Sequence, residues 1–192
     1  MDSEPFLSIP AIINTIQLNP LTPGVIVGMI SIIILLICSA LVSGSEVAFF
    51  SLSPSDKGKL KELHNKASLR VIDLLSKPER LLATILIANN FINIAIVVIS
   101  TFITTSIFDF REDPLWAFTI QVVVVTFLLL LFGEIIPKLY ANHSALRFAL
   151  FISYPVLIFD RIFRPLSLFM IHSTSFVNKR ISSKKSNVSM TD

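Results

Sequence analysis

A chain of 192 residues with 53% hydrophobic and 15% charged side chains has room for one domain, but it is too apolar for an ordinary water-soluble one, where about 25% of residues are charged. Its 16 Lys and Arg against 13 Asp and Glu leave a net charge of +3. At a mean hydropathy of +0.77 this basic excess reads as loop charge beside membrane spans and not as a nucleic-acid footprint. The single cysteine, Cys38, excludes an internal disulfide and a cysteine metal site.

A spanning helix needs about 20 mostly apolar residues, and three stretches free of Asp, Glu, Lys and Arg meet that length. They are Gly24 to Ser45, Leu81 to Phe108 and Pro114 to Gly133, the first closed by Glu46 and the third by Glu134. With flanking residues the spans are placed at 24–50, 81–108 and 114–136. The residues before Gly24 are acidic or neutral, so the first span lacks the basic leader of a signal peptide and is retained.

The basic residues fall in alternate loops. Residues 1–23 hold none, while the first loop holds Lys57, Lys59, Lys61, Lys66, Arg70, Lys77 and Arg80. Only Arg111 lies in the second connection, whereas Lys138, Arg147, Arg161, Arg164, Lys179, Arg180, Lys184 and Lys185 follow span three. That alternation gives an extracytoplasmic N-terminal segment over 1–23, a cytoplasmic C-terminus and a multi-pass protein of the plasma membrane, the inner membrane in a bacterium.

Prolines at 5, 10, 20 and 23 limit the N-terminal segment to short helix at the outer interface. In the first loop, Ser55 or Asp56 is expected to cap a charged helix with Leu60, Leu63 and Val71 on one apolar face, and Pro78 to sit in the first turn of the next. After span three, FALFISYPVLIF is broken by Pro155 and flanked by Arg147 and Asp160, too short to span. Residues 144–176 therefore read as amphipathic helix along the inner leaflet, and 177–192 as a polar, disordered cytoplasmic tail. The fold class is an all-α membrane protein with three transmembrane helices and juxtamembrane amphipathic helices.

Polar side chains inside spans cost insertion energy and mark functional candidates. Ser39, Ser43 and Glu46 recur at i, i+4 and i+7 in span one, Asn89, Asn90 and Asn93 lie in span two with Asn90 and Asn93 sharing a face, and Gly133 and Glu134 end span three. Pro137 has no N–H, so in a continuing α-helix it leaves the Gly133 carbonyl without a donor, beside a carboxylate. Hydroxyl, amide, carbonyl and carboxylate are all oxygen, the set for a hard cation such as Mg²⁺ or Ca²⁺. Glu46 and Glu134 can instead reach interfacial water or pair with Lys138, and the serines and asparagines can serve interhelical packing alone. Ser39 is expected to be dispensable. Enzymatic readings fail, because His64, His143 and His172 lie outside the spans, no Asp lies in one, and phosphate-loop patterns are absent.

The segments SALVSGSEVAFFSLS, LLATILIANNFINIAI and FGEIIPKLYANHSALRFA, in that order and spacing, closely resemble the transmembrane domain (domain of unknown function 21) of the CorC and cyclin M family of magnesium transporters, over roughly residues 24–176. The resemblance implies a homodimer in the lipid bilayer around a dehydrated Mg²⁺, with Na⁺ as a coupling ion in proposed export. It implies Ser43, Asn90, Gly133 and Glu134 as the metal site, with Asn93, Glu46, Pro137 and Lys138 in support. Family members usually continue into a cytoplasmic pair of cystathionine-β-synthase modules, so the chain reads as truncated before it. The wording of the first motif is also similar to a gliding-motility branch of the family. That leaves an alternative, a membrane scaffold or sensor that binds the cation without transporting it.

Overall fold

The computed structural model describes residues 17–18, 20–109 and 114–171. Helix α1, Pro23–Phe50, begins with proline at its first turn, where the missing N–H would lack an acceptor anyway. Its 28 residues reach about 42 Å, enough to cross the hydrocarbon core with a turn to spare.

Ser51 caps the end of α1, and Ser53 caps α2, Pro54–Glu62, through a reciprocal box in which Asp56 N donates to Ser53 Oγ and Ser53 N to Asp56 Oδ2. The expected caps, Ser55 or Asp56, are displaced because Pro54 is tolerated only at the helix start, which fixes the cap one residue earlier. The single charged helix expected in this loop is two helices. His64 takes a left-handed backbone, φ 44°, and Asn65 caps α3, Lys66–Leu75, with Ser68 returning the bond. Leu60 and Val71 are buried as anticipated, but Leu63, at the break, is exposed.

Helix α4, Pro78–Ile107, is the second span. Beyond it Phe108–Asp109 (β2) pairs antiparallel with Gln17–Leu18 (β1), Gln17 opposite Asp109. The third span continues past its expected end. Helix α5, Pro114–Leu128, passes into a π-helical segment, Leu129–Ile135, and then α6, Ile136–His143. Glu134 thus lies inside a continuous helix and does not close one.

Among the described residues three stretches are long and apolar enough to cross a membrane: Pro23–Phe50, Pro78–Ile107 and Gln121–His143. Helix α7, Ala145–Ile162, is not among them. It runs unbroken through Pro155 and is followed by a helical stretch over 164–171. The expected N-terminal segment and the polar tail from 177 lie outside the described residues, apart from β1 and the approach to α1.

Packing divides the molecule in two. Along the spans, Ile26, Ile30, Ile33, Ile37, Phe91 and Ile94 face outward and exposed, as lipid-facing side chains do. At the end carrying α2 and α3, a water-soluble type of core forms from Phe49, Leu52, Leu60, Val71, Leu74 and Leu81 with Ile152 and Val156 of α7. Helix α7 packs on α1, α3 and α4, so it is part of the bundle. The pin is a buried ion pair: Arg80 Nε donates to Asp160 Oδ1 at 2.8 Å and Nη2 to Oδ2 at 2.6 Å. Thr84 Oγ1 lies 3.4 Å from Asp160 Oδ1 and 3.0 Å from Ser167 Oγ, tying in the 164–171 stretch.

Candidate cation site

The three spans meet around a ring of polar groups. From α1, Ser39 is fully buried and its Oγ donates to Asn93 Oδ1 of α4 at 2.9 Å, with Asn89 Oδ1 at 3.5 Å. Both amides close the ring on the π-helical segment, Asn89 Nδ2 and Asn93 Nδ2 each lying 3.4 Å from Glu134 Oε1. The close approach of α1 to this segment depends on Gly133, where a Cβ would stand 3.0 Å from Ser39 Oγ.

One turn along α1, Ser43 is 1% exposed and its hydroxyl has no hydrogen-bond partner among the described residues. Leaving such a group unmet costs about 1–3 kcal/mol. The next residue, Gly44, lies against the third span as well, its missing Cβ 3.3 Å from the Pro137 carbonyl. Ser43 therefore belongs to the stretch of α1 that faces Gly133 to Pro137.

The π-helix changes which carbonyl Pro137 leaves bare. Ile136 N donates to the carbonyl of Leu131, five residues back, so the frame reaching Pro137 points at Phe132, and the return to α-helix points at Gly133. Both carbonyls lie where the ladder changes frame against a residue without an N–H. The sequence reading assumed an α-helical frame and singled out Gly133 alone.

The charges sort themselves. Glu46, half-exposed, pairs with Lys138 at 3.2 Å, and Asp160 is neutralised by Arg80. Among the described residues no basic side chain pairs with Glu134 within 4.0 Å. A carboxyl group inside a span, met by two amide N–H groups, keeps oxygen lone pairs that a cation could use. No group of three His, Cys, Asp or Glu is found among the described residues, so a cation at this ring would have one acid and otherwise neutral oxygens to meet it.

Asn90 is placed elsewhere. It is exposed on the outward face beside Phe91, its Nδ2 donating to the Leu86 carbonyl at 2.9 Å. The inward pair is Asn89 and Asn93, at i and i+4, and not Asn90 and Asn93. Ser39, expected to be dispensable, sits at the centre of the ring. The four-residue spacings Ser39 to Ser43 and Asn89 to Asn93 were the available signal.

The family model for the cyclin M transmembrane N-terminal domain matches residues 30–192. The chain belongs to that family. Among similar proteins, a UPF0053 protein of Haemophilus influenzae is 36% identical over 137 residues, 71% of this chain and 31% of its own length. The UPF0053 inner membrane protein YfjD of Escherichia coli is 33% identical over 100 residues, 52% of this chain and 22% of its own. The UPF0053 protein sll1254 of Synechocystis is 30% identical over 137 residues, 71% and 38% respectively. The chain thus spans less than two fifths of the length of these relatives. With three helices among its described residues long and apolar enough to span, this cyclin M domain is a multi-pass membrane protein.

Proposed function

We propose that this domain carries Mg²⁺ across the membrane through the ring of Ser39, Ser43, Asn89, Asn93, the Gly133 carbonyl and Glu134. The observation that carries the reading is the Glu134 carboxylate, inside a span and, among the described residues, without a basic partner, while Glu46 and Asp160 have theirs. The donor set supports a small hard cation, because hydroxyl, amide, carbonyl and carboxylate oxygens are its ligands. In the metal-free ring Ser39 Oγ and Asn93 Oδ1 are spent on each other in a 2.9 Å hydrogen bond. A half-turn of either amide about its terminal bond would bring its oxygen, in place of its N–H, toward the Glu134 side.

The basic residues of the first loop and of the segment after span three support an orientation with α2 and α3 on the cytoplasmic side and the N-terminus outside. Asn90, polar on an otherwise apolar outward face, has the chemistry of a contact to a second copy, and a homodimer is the assembly proposed. Coupling to Na⁺ entry and control by a cytoplasmic pair of cystathionine-β-synthase modules belong to the same proposal, the latter in a longer protein such as the relatives.

The test is thermal stability of the detergent-purified protein against Mg²⁺, with Na⁺ and Ca²⁺ as controls, for wild type and Glu134→Gln. A ligand that binds only the folded state stabilises it in proportion to ln(1 + [L]/Kd). A saturable Mg²⁺ shift lost in Glu134→Gln supports the site, and no shift at millimolar Mg²⁺ rejects it. Binding without flux in proteoliposomes would turn the function into that of a membrane scaffold or sensor.

A further inference from the structure

At the loop end of α4 a cavity of about 470 Å³ opens between its first residues and the 164–171 stretch. That volume is in the range of small-ligand sites, about 300–1,000 Å³. Its lining is mixed: Lys77, Pro78, Glu79 and Arg80 lie at the start of α4, and Arg164, Leu168 and Ile171, spaced for one helical face, come from the 164–171 stretch. Among the described residues neither Lys77 nor Arg164 has an ion-pair partner.

Arg80 is a different case. Asp160 takes its Nε and Nη2 and cancels its charge, which leaves the Nη1 edge outside that fork while the guanidinium is held in place. The net charge on the wall is then that of Lys77 and Arg164 less that of Glu79, one positive unit. A single negative charge balances it, and a lining that mixes cationic and apolar side chains suits an anion joined to hydrocarbon. Lys77 directly precedes Pro78–Ile107, a helix whose 30 residues match the bilayer including its headgroup layers, so the cavity opens at the end of that helix, within reach of lipid headgroups.

We propose that this cavity binds the phosphodiester of an acidic phospholipid, with Lys77, Arg164 and the Arg80 edge on the phosphate and Leu168 and Ile171 against the first methylenes. The site is independent of the cation ring. Bound lipid would bridge α4 to the 164–171 stretch beside the Arg80–Asp160 pin.

The test uses the full chain in mixed micelles with dioleoyl-phosphatidylglycerol or dioleoyl-phosphatidylcholine, bound lipid being counted by native mass spectrometry. Lys77→Gln/Arg164→Gln is compared with Lys57→Gln/Lys61→Gln, which removes the same charge from exposed positions of α2. Near the membrane each basic residue contributes enough that losing two lowers the preference for phosphatidylglycerol by about thirtyfold. That loss is expected for the cavity variant alone, and Arg164→Gln by itself gives a smaller loss if the double variant does not fold. Titration with inorganic phosphate separates the sources: displacement of phosphatidylglycerol at millimolar phosphate, with the same residue dependence, keeps the phosphate chemistry but makes the ligand soluble. Equal loss in both double variants, or no preference in wild type, overturns the proposal.

Discussion

Ser39 and Asn93 are joined by a 2.9 Å hydrogen bond between α1 and α4, from a fully buried hydroxyl to an amide oxygen, at the level where the third span presents its only acid within a helix. A serine that reads as a packing residue is therefore the donor that orients one of the two amides over Glu134.

Ser39→Ala and Ser43→Ala should act with opposite signs on the metal-free protein. Ser39→Ala removes the donor to Asn93 and costs about 1–3 kcal/mol, whereas Ser43→Ala removes a buried hydroxyl with no partner and is neutral or stabilising. Both should reduce stabilisation by Mg²⁺. Thermal melts with and without Mg²⁺ check this, and a destabilised metal-free Ser43→Ala would mean that its hydroxyl is already satisfied.

The Arg80–Asp160 pair should be costly to break from one side. With the Asp160 side chain 4% exposed and that of Arg80 18%, Asp160→Ala leaves a guanidinium largely buried and unpaired, at about 3–5 kcal/mol. Arg80→Met/Asp160→Leu should recover most of that loss. Denaturant unfolding in a fixed detergent gives the comparison, and additive losses would show that the two charges do not act as a pair.

Gly44 is a contact-limited position. A Cβ there would stand 2.7 Å from Phe148 Cζ, so Gly44→Ala should destabilise by about 1–3 kcal/mol. Phe148→Leu in the same chain should restore stability by clearing the ring. If the double variant melts as low as Gly44→Ala, the obstruction is the Pro137 carbonyl, 3.3 Å away, and not the ring.

Helix α2 should fray in acid. Hydrogen bonds from the Ser53 side chain and then its backbone hold the Asp56 carboxyl below its ordinary value of 3.8. Because the folded value is the lower one, the stabilisation is complete above pH 3.8 and fades as pH falls through the depressed value. Hydrogen exchange in α2, corrected for intrinsic rates, should show protection falling in that window for wild type and no such fall for Asp56→Asn.

The sequence by itself determined the membrane class and the three spanning helices, because both follow from composition over about 20 residues, which needs no neighbour. It also determined that a helix begins at Pro78, because proline is at home only in a first turn.

Tertiary packing decided which faces meet. Successive helical residues differ by 100°, so Asn89 and Asn90 project in directions that only the rotation of α4 against α1 can rank, and that rotation turns Asn89 inward and Asn90 out. The same packing brings Ser39 onto Gly133 and draws Asp160 to an arginine 80 residues away. The π-helical frame before Pro137 is likewise a product of the whole, since local propensity favours the α-helix and only the fit of this span against its neighbours sustains the wider turn.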